Sequence, residues 1–358
     1  MDVAEEGRRQ RLAAWARKGV EVPSAAGTLV AGALALGLVI LGPLAVITAH
    51  GFIPYERIVD GIFSGATLTV VMAGIAAGAG AAAVGFAIFG RMPTKRAREQ
   101  TIAGAVLGIQ AAILGSVFLV FRTAGDPERF AFHFLNFEKL EGYGGAFVNG
   151  AKNTIFLAFI GEAGGVILGL ILAILVLSKR RVVRAPARTY INFFRGTPLI
   201  WQLSVFYFGL ALGFRLPLST FQTAMLVFAL NTGAYAAEVF RAGIQSIERG
   251  QMEAARSLGM SYLQSMRFAI VPQAVRRVIP PLMNEFVILI KDTSLIIVLG
   301  LAESEFDLFT LARTGYAETF NATFFVAAAV GYLVVTLPLI RLVNMVERRL
   351  RSGLVSVV

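Results

Sequence analysis

The residues of this sequence best suited to chemistry are ionisable side chains that stand inside long apolar runs. Glu162 interrupts one such run, and the neighbours Lys291 and Asp292 interrupt another. A charged side chain within a bilayer costs about 2.5–3.5 kcal/mol on insertion scales, and it usually faces the interior of a helix bundle. Apolar runs of this kind also carry uncharged polar residues, namely Asn231, Asn284, Thr293 and Ser294. These groups are candidates for lining a polar path through a membrane.

Other kinds of chemistry lack the residues that they need. The chain has no cysteine, so it can form neither disulfides nor thiolate metal sites. Its two histidines, His50 and His133, are far apart in the sequence and belong to no metal-ligand pattern. No Gly-Lys-Ser/Thr sequence occurs, so the phosphate-cradling loop of ATPases is absent. We therefore predict that the chain is not an enzyme, and that it binds no metal or cofactor of its own.

The composition predicts a membrane protein. The chain is 56% hydrophobic and 15% charged, whereas soluble domains carry about 25% charged residues. Apolar runs of about 20 residues are long enough to cross the hydrocarbon core as helices, which satisfy their own backbone hydrogen bonds. The predicted fold is therefore an all-α polytopic membrane protein with about eight transmembrane helices. The predicted spans are 28–49, 62–89, 101–122, 153–177, 197–213, 220–240, 280–300 and 323–345.

The basic residues fix the orientation of these spans. With the N-terminus in the cytoplasm, the cytoplasmic segments hold 25 of the 33 Lys and Arg residues, and the outer segments hold seven. Cytoplasmic loops normally carry the excess of basic residues, so both termini are predicted to be cytoplasmic. The same rule accounts for the net charge of +11 without nucleic acid as a partner.

The cytoplasmic segment 241–279 has a pattern that a simple tether would not need. Gln251–Leu258 contains good helix formers, and Gly259 is suited to stop a helix because glycine tolerates positive φ. The residues expected on one face of this helix are Met252, Ala255 and Leu258. A second amphipathic stretch, Ser261–Ile270, is predicted to end at Pro272. The segment therefore predicts a compact knob of two short helices.

The knob sequence, GQMEAARSLG followed by IVPQA, resembles the EAA loop of importer permeases of the ATP-binding-cassette (ABC) superfamily. The residues that carry the resemblance are Gly250, Gln251, Glu253, Ala254, Ala255, Gly259 and Pro272. The sequence departs from the family pattern with Ala269 at an aliphatic position and with Val271 in place of leucine. The resemblance implies that this loop is the coupling helix, which inserts into a cleft of a separate ATPase. The alternative is an amphipathic helix lying on the membrane surface.

Neighbouring segments are similar to the polar amino acid branch of these permeases. They are Tyr190–Leu199, Asn231–Gly243, Gln245–Gln251 and Lys291–Leu295, and Asn284 also fits. The resemblance covers about 147–351, which implies a five-helix type I importer core containing the coupling loop 241–279. Residues 1–146 are then an N-terminal extension with three transmembrane helices.

The resemblance implies a permease subunit that moves polar amino acids across the bacterial cytoplasmic (inner) membrane. Its expected partners are ABC ATPase subunits, which would hold ATP and Mg²⁺, a second permease subunit, either identical or paralogous, and an extracytoplasmic solute-binding protein. A secondary transporter driven by an ion gradient is the alternative, but it would need no docking loop.

Within this interpretation the polar residues of the spans have two possible roles. Glu162 or Asp292 would accept the ammonium group of an amino acid, while Lys291 or the hydroxyl groups of Thr293 and Ser294 would bind its carboxylate. Alternatively, Lys291 pairs with Glu162 or Asp292 only to hold helices in register. The sequence leaves both roles open.

Overall fold

The structure is a computed structural model that describes residues 23–247 and 249–351. All regular secondary structure in these ranges is helical, and six of the described helices are long and apolar enough to cross a membrane. The chain forms two compact units. The first ends at Glu141 and includes Asn321–Thr323, and the second contains the other residues from Gly142 onward. The prediction of an all-α membrane protein is confirmed.

The first unit is built on three long helices. Its helices are α1 (Pro23–His50), α2 (Tyr55–Phe63), α3 (Gly65–Phe89), α4 (Lys95–Ala124), α5 (Pro127–Phe134) and a 3-10 turn, Phe137–Leu140. Glycines let the long helices approach one another closely. A Cβ atom added at Gly78 would lie 2.5 Å from the carbonyl oxygen of Gly108 on α4. Backbone contact of this kind is typical of membrane helices, which associate through small residues.

The second unit contains the segments that carry the candidate site. Its helices are α6 (Gly144–Leu177), α7 (Arg181–Gly196), α8 (Leu199–Ser204), α9 (Thr220–Gln245), α10 (Arg249–Ser257), α11 (Tyr262–Ser265), α12 (Val271–Asp292), α13 (Leu308–Thr319) and α14 (Thr323–Arg351). Helix α8 continues as a π-helix, Val205–Leu212, and α11 continues as a π-helix, Met266–Ile270. Helix α12 gives way to a 3-10 helix, Thr293–Leu299, and a 3-10 turn, Glu303–Glu305, follows.

Helices α6 and α9 form the centre of this unit. Gly161, Gly165 and Gly169 repeat every fourth residue along α6, and all three are buried. A Cβ atom at Gly165 would lie 2.5 Å from the Cβ atom of Thr232, and one at Gly169 would lie 2.6 Å from the Cβ atom of Ala236. Only glycine therefore permits this helix spacing, which also fixes the position of Glu162.

Two of the eight predicted spans fold differently from the expected single long helix. The predicted span 197–213 is a shorter apolar helix, Leu199–Leu212, which starts after Pro198. The predicted span 280–300 begins earlier, at Val271, because Pro280 and Pro281 lie inside helix α12 and do not break it. The α-helix then ends at Asp292, and the 3-10 helix carries the chain to Leu299.

Candidate functional site

The predicted knob has the expected helix–glycine–helix form. Helix α10 ends at Ser257, and Gly259 has φ +85°, which is the left-handed conformation that glycine adopts most easily. The next helix starts with a capping box. The Ser261 hydroxyl accepts a hydrogen bond from the Gln264 amide at 3.3 Å, and the Gln264 side chain accepts one from the Ser261 amide at 2.8 Å. These reciprocal bonds satisfy backbone donors at the helix start.

The knob is anchored on one side and exposed on the other. Met252 and Met266 pack against a small core formed by Ile247, Ile270 and Ala274. Ala255 is buried, whereas Glu253 and Ala254 are exposed. Leu258 directly follows the last residue of α10, and its amide still donates to the Ala254 carbonyl at 3.1 Å, but its side chain is 79% exposed. The exposed apolar side chains of the knob are Leu258, Tyr262, Leu263 and Phe268.

The sequence predicts that the second helix of the knob ends at Pro272, but in the structure the helix continues through this residue. The chain runs from α11 through the π-helix directly into α12, and Pro272 lies in the first turn of α12. Pro272 cannot donate a backbone hydrogen bond to the preceding turn, and it directly follows the π-helix, an irregularity that accommodates a break in the helical hydrogen-bond pattern. Gln273 on α12 donates a hydrogen bond to Gln251 on α10 at 3.3 Å. The knob is thus joined to the helix that carries the polar residues of the path.

Asn231 takes part in a polar network that the sequence analysis missed. Its side-chain amide donates to the Gln202 side chain at 3.0 Å. The Gln202 amide donates in turn to the carbonyl of Phe194 at 2.8 Å, and to the carbonyl and hydroxyl of Thr197 at 3.1 and 2.9 Å. Gln202 is fully buried. The network joins α7, α8 and α9, so Asn231 has a structural role in this site.

Glu162 occupies the opposite kind of environment. Both of its carboxyl oxygens are buried, and neither has a hydrogen-bond partner among the described residues. It lies in a groove of about 390 Å³ between α6, α12 and α14, where it is the only ionisable residue of the lining. The other lining residues are Phe159, Ala163, Val166, Ile279, Leu282, Met283, Phe286, Val287, Leu339, Leu342 and Val343.

The remaining candidates lie on or just after α12 and are not among the residues that line this groove. Asn284 and Lys291 are exposed, and Asp292 is half-buried. Helical spacing places Glu285 and Asp292, seven residues apart, on one face of α12, with Asn284 next to Glu285 at its edge. Glu285 is half-buried, and the sequence analysis missed it. Its place seven residues before Asp292, on the same helix face, was the available signal. We call Asn284, Glu285 and Asp292 the polar stripe.

The hydroxyl groups after the polar stripe are occupied. The Thr293 hydroxyl donates to the carbonyl of Ile290 at 2.8 Å, and the Ser294 hydroxyl donates to the carbonyl of Lys291 at 2.7 Å. Thr293 is fully buried. The expectation that these hydroxyls donate to a substrate carboxylate therefore does not fit this structure. Among the described residues, no ion pair joins Lys291 to Glu162 or Asp292, so pairing within one chain is also not observed.

Comparison with known proteins decides the family. The model of the family "Binding-protein-dependent transport system inner membrane component" matches residues 165–352, which is just over half of the chain. The glutamine transport system permease protein of Escherichia coli K12 is 37% identical over 209 residues, covering 57% of this chain and 92% of that relative. The chain belongs to this permease family. A putative glutamine transport system permease protein of Rickettsia felis is 39% identical over 192 residues, covering 53% of this chain and 86% of that relative.

Solved permease structures share the fold. A crystal structure of an amino acid ABC transporter with histidines has a TM-score of 0.56 at 36% identity, and it covers 60% of this chain and 98% of that chain. An inward-facing methionine ABC transporter has a TM-score of 0.51 at 16% identity, covering 59% of this chain and 98% of that chain. The second similarity shows the fold alone. The permease identity favours the ABC importer over the ion-gradient alternative, and it makes the chain a multi-pass transport component.

The family match includes both parts of the candidate site. The knob and the polar stripe lie inside residues 165–352, whereas Glu162 lies three residues before the match begins. Of the first unit, only Asn321–Thr323 lie inside the match, and the residues up to Glu141 lie outside it.

Proposed function

We propose that this chain is the permease subunit of an ATP-driven importer of polar amino acids in the bacterial cytoplasmic membrane. The observation that carries the proposal is the knob, whose anchored core and exposed apolar tip suit it to dock on another protein. The positive-inside pattern supports a cytoplasmic position for it, where ATP is available. A separate ATPase would hold ATP and Mg²⁺, and a solute-binding protein would deliver the substrate from outside.

The geometry suggests how docking drives transport. Exposed Leu258 and Leu263 would enter a cleft of the ATPase, with Glu253 facing a basic side chain there. Motion of the knob would reach α12 through the core around Ile270 and through the continuous chain into Val271. Helix α12 has 22 residues and is therefore about 33 Å long. A rigid element of this length carries a displacement at the knob to the polar stripe.

The polar stripe is the proposed contact for the substrate. The carboxylates of Glu285 and Asp292 are suited to an ammonium group, and Asn284 offers both a donor and an acceptor. The similarity to glutamine permeases and to a histidine-bearing amino acid transporter supports a polar amino acid as the substrate.

Reconstitution with the ATPase and the binding protein tests the proposal. Proteoliposomes with ATP at the cytoplasmic face should accumulate labelled glutamine or another polar amino acid, and a non-hydrolysable ATP analogue should stop uptake. Ionophores that collapse ion gradients should leave uptake unchanged. Uptake that needs an ion gradient and continues without ATP would refute the proposal.

A substitution in the knob tests the docking role directly. Leu263→Asp places a charge on an exposed apolar side chain and should abolish copurification of the ATPase. The matched control is Val182→Asp, since Val182 is 87% exposed on α7, in another predicted cytoplasmic segment. Equal loss of the ATPase in both variants would mean that the knob has no special part in docking.

A further inference from the structure

The Glu162 carboxyl group poses a physical problem. A buried carboxyl without a hydrogen-bond partner is costly, and the cost is greater where lipid supplies no water. Glu162 lies 18 residues into the 34-residue helix α6, so it is near the middle of the span. Snorkelling to an interface is therefore out of reach for its short side chain. Within the described part of the second unit, nothing offers this carboxyl a hydrogen bond.

Lys291 poses the complementary problem. It is exposed on α12 and, within the described part of the chain, it forms no ion pair with either acid that the sequence analysis considered. Charges inside a membrane are rare, and they usually pair with one another. Within residues 23–247 and 249–351, one chain therefore presents a carboxyl group without a hydrogen-bond partner and an ammonium group without an ion pair.

The two groups lie at similar depth. A Cβ atom on Gly161 would lie 3.3 Å from the Leu289 side chain, so this part of α6 runs beside Leu289 on α12. Lys291 is two residues further, which is about 3 Å along a helix axis. Side chains lean toward the N-terminus of their own helix. The predicted topology makes α6 and α12 antiparallel, so the two side chains lean toward the same level.

We infer that Glu162 of each permease copy pairs with Lys291 of a second copy of this chain. This inference deepens the proposed function and rests on it, because it names the second permease subunit as an identical copy. A two-fold axis along the membrane normal keeps depths equal and produces both contacts at once, since an isologous interface repeats every pair. The groove is also the right size. At about 390 Å³ it admits a long side chain, but not a helix 10–12 Å in diameter.

Charge reversal in the purified permease–ATPase complex tests the pairing. Glu162→Lys or Lys291→Glu alone should weaken association of the two permeases by about tenfold or more, as measured by subunit exchange between fluorescently labelled copies. The double variant should restore association to within about twofold, because each copy again supplies one charge of each sign. The matched control is Glu303→Lys combined with Lys291→Glu, which should not restore it, because Glu303 is an exposed acidic residue outside α6 and α12. A Glu162/Lys291 double variant no better than either single variant would overturn the inference.

Cysteine crosslinking gives a second test that does not depend on charge reversal. The chain has no native cysteine, so introduced ones are the only reactive thiols on it. Copies with Glu162→Cys under one tag and copies with Lys291→Cys under another are coexpressed with the ATPase and treated with a short bis-methanethiosulfonate. A crosslinked species carrying both tags is expected. Ile167→Cys, on another exposed face of α6, should give none with Lys291→Cys.

The outcomes separate this inference from the proposed function. If uptake by the unmodified complex is driven by ATP but no 162–291 crosslink forms, then the pairing is wrong and the importer stands. If the crosslink forms but no amino acid is accumulated, then the function is wrong. A Glu162→Gln variant that pairs normally yet loses uptake would assign Glu162 to the substrate and overturn the pairing.

Discussion

Gln202 and Glu162 are two polar side chains buried within the second unit, and they differ in the number of hydrogen bonds that they make. The Gln202 amide donates to three acceptors and its oxygen accepts from Asn231. The Glu162 carboxyl has no hydrogen-bond partner in the part of the chain that the structure describes. Buried polar groups in folded proteins are normally hydrogen-bonded, so the first residue behaves as part of the scaffold. The second is incomplete in a single chain, and we attribute that difference to function.

The largest expected change in unfolding free energy comes from replacing Gln202, whose side-chain hydrogen bonds are all made. Gln202→Leu would remove four hydrogen bonds of this network and leave the Asn231 amide with one long bond, to the Phe194 carbonyl at 3.4 Å, so we expect a loss of about 2–4 kcal/mol in unfolding free energy. The measurement is thermal unfolding of the detergent-solubilised chain by circular dichroism.

Gln110→Leu is the matched control for this variant. Gln110 is exposed on α4, so the same chemical change there should alter stability by less than about 0.5 kcal/mol. If Gln202→Leu is equally mild, the network does not hold α7, α8 and α9 together.

Replacement of Glu162 is expected to raise the unfolding free energy rather than lower it. Glu162→Leu replaces an unpartnered carboxyl with a side chain that matches Phe159 and Val166, so the isolated chain should gain about 1–3 kcal/mol in unfolding free energy. Association of two copies should weaken in the same variant. A destabilised single chain would show that Glu162 has a partner within its own subunit, and the comparison with Gln202 would fail.

Leu263 in the knob differs from Gln202 and Glu162, because its side chain is apolar and exposed. Leu263 is 77% exposed. Leu263→Ala should therefore change the unfolding free energy of the chain by less than about 0.5 kcal/mol, while it weakens binding of the ATPase by about tenfold. Titration of the ATPase into nanodiscs that hold the permease measures the second quantity. A large loss of stability would mean that Leu263 packs within its own subunit.

The sequence predicted best those features that depend on local pattern. The helix stop at Gly259 follows from the tolerance of glycine for positive φ, and Gly259 has φ +85°. The sequence could not reveal the Gln202 network, because its members come from three helices whose packing depends on the whole unit. The sequence also predicted that a span starts at Pro280. That prediction was wrong for the same reason, because the surrounding helices support a proline inside α12.

The depth of a residue was predictable, but the side of the helix that it faces was not. Glu162, Lys291 and Asp292 all stand inside spans, and the sequence alone grouped them into one path. In the structure only Glu162 of these three lines the groove, because the lining depends on how α6, α12 and α14 pack. Of these three, only Glu162 has buried polar atoms without a hydrogen-bond partner among the described residues.

The smallest effect is expected where a hydroxyl bonds to its own helix. Thr293→Val removes the bond to the Ile290 carbonyl and keeps the side-chain volume, so the unfolding free energy should fall by about 1 kcal/mol. Uptake by the reconstituted importer should stay within about twofold of the unmodified protein, because a buried, satisfied hydroxyl has no donor left for a substrate. Ser294→Ala should behave in the same way, with a still smaller change in stability. A tenfold loss of uptake at unchanged stability would return these hydroxyls to the substrate path, and would show that a satisfied polar group in this permease can still serve transport.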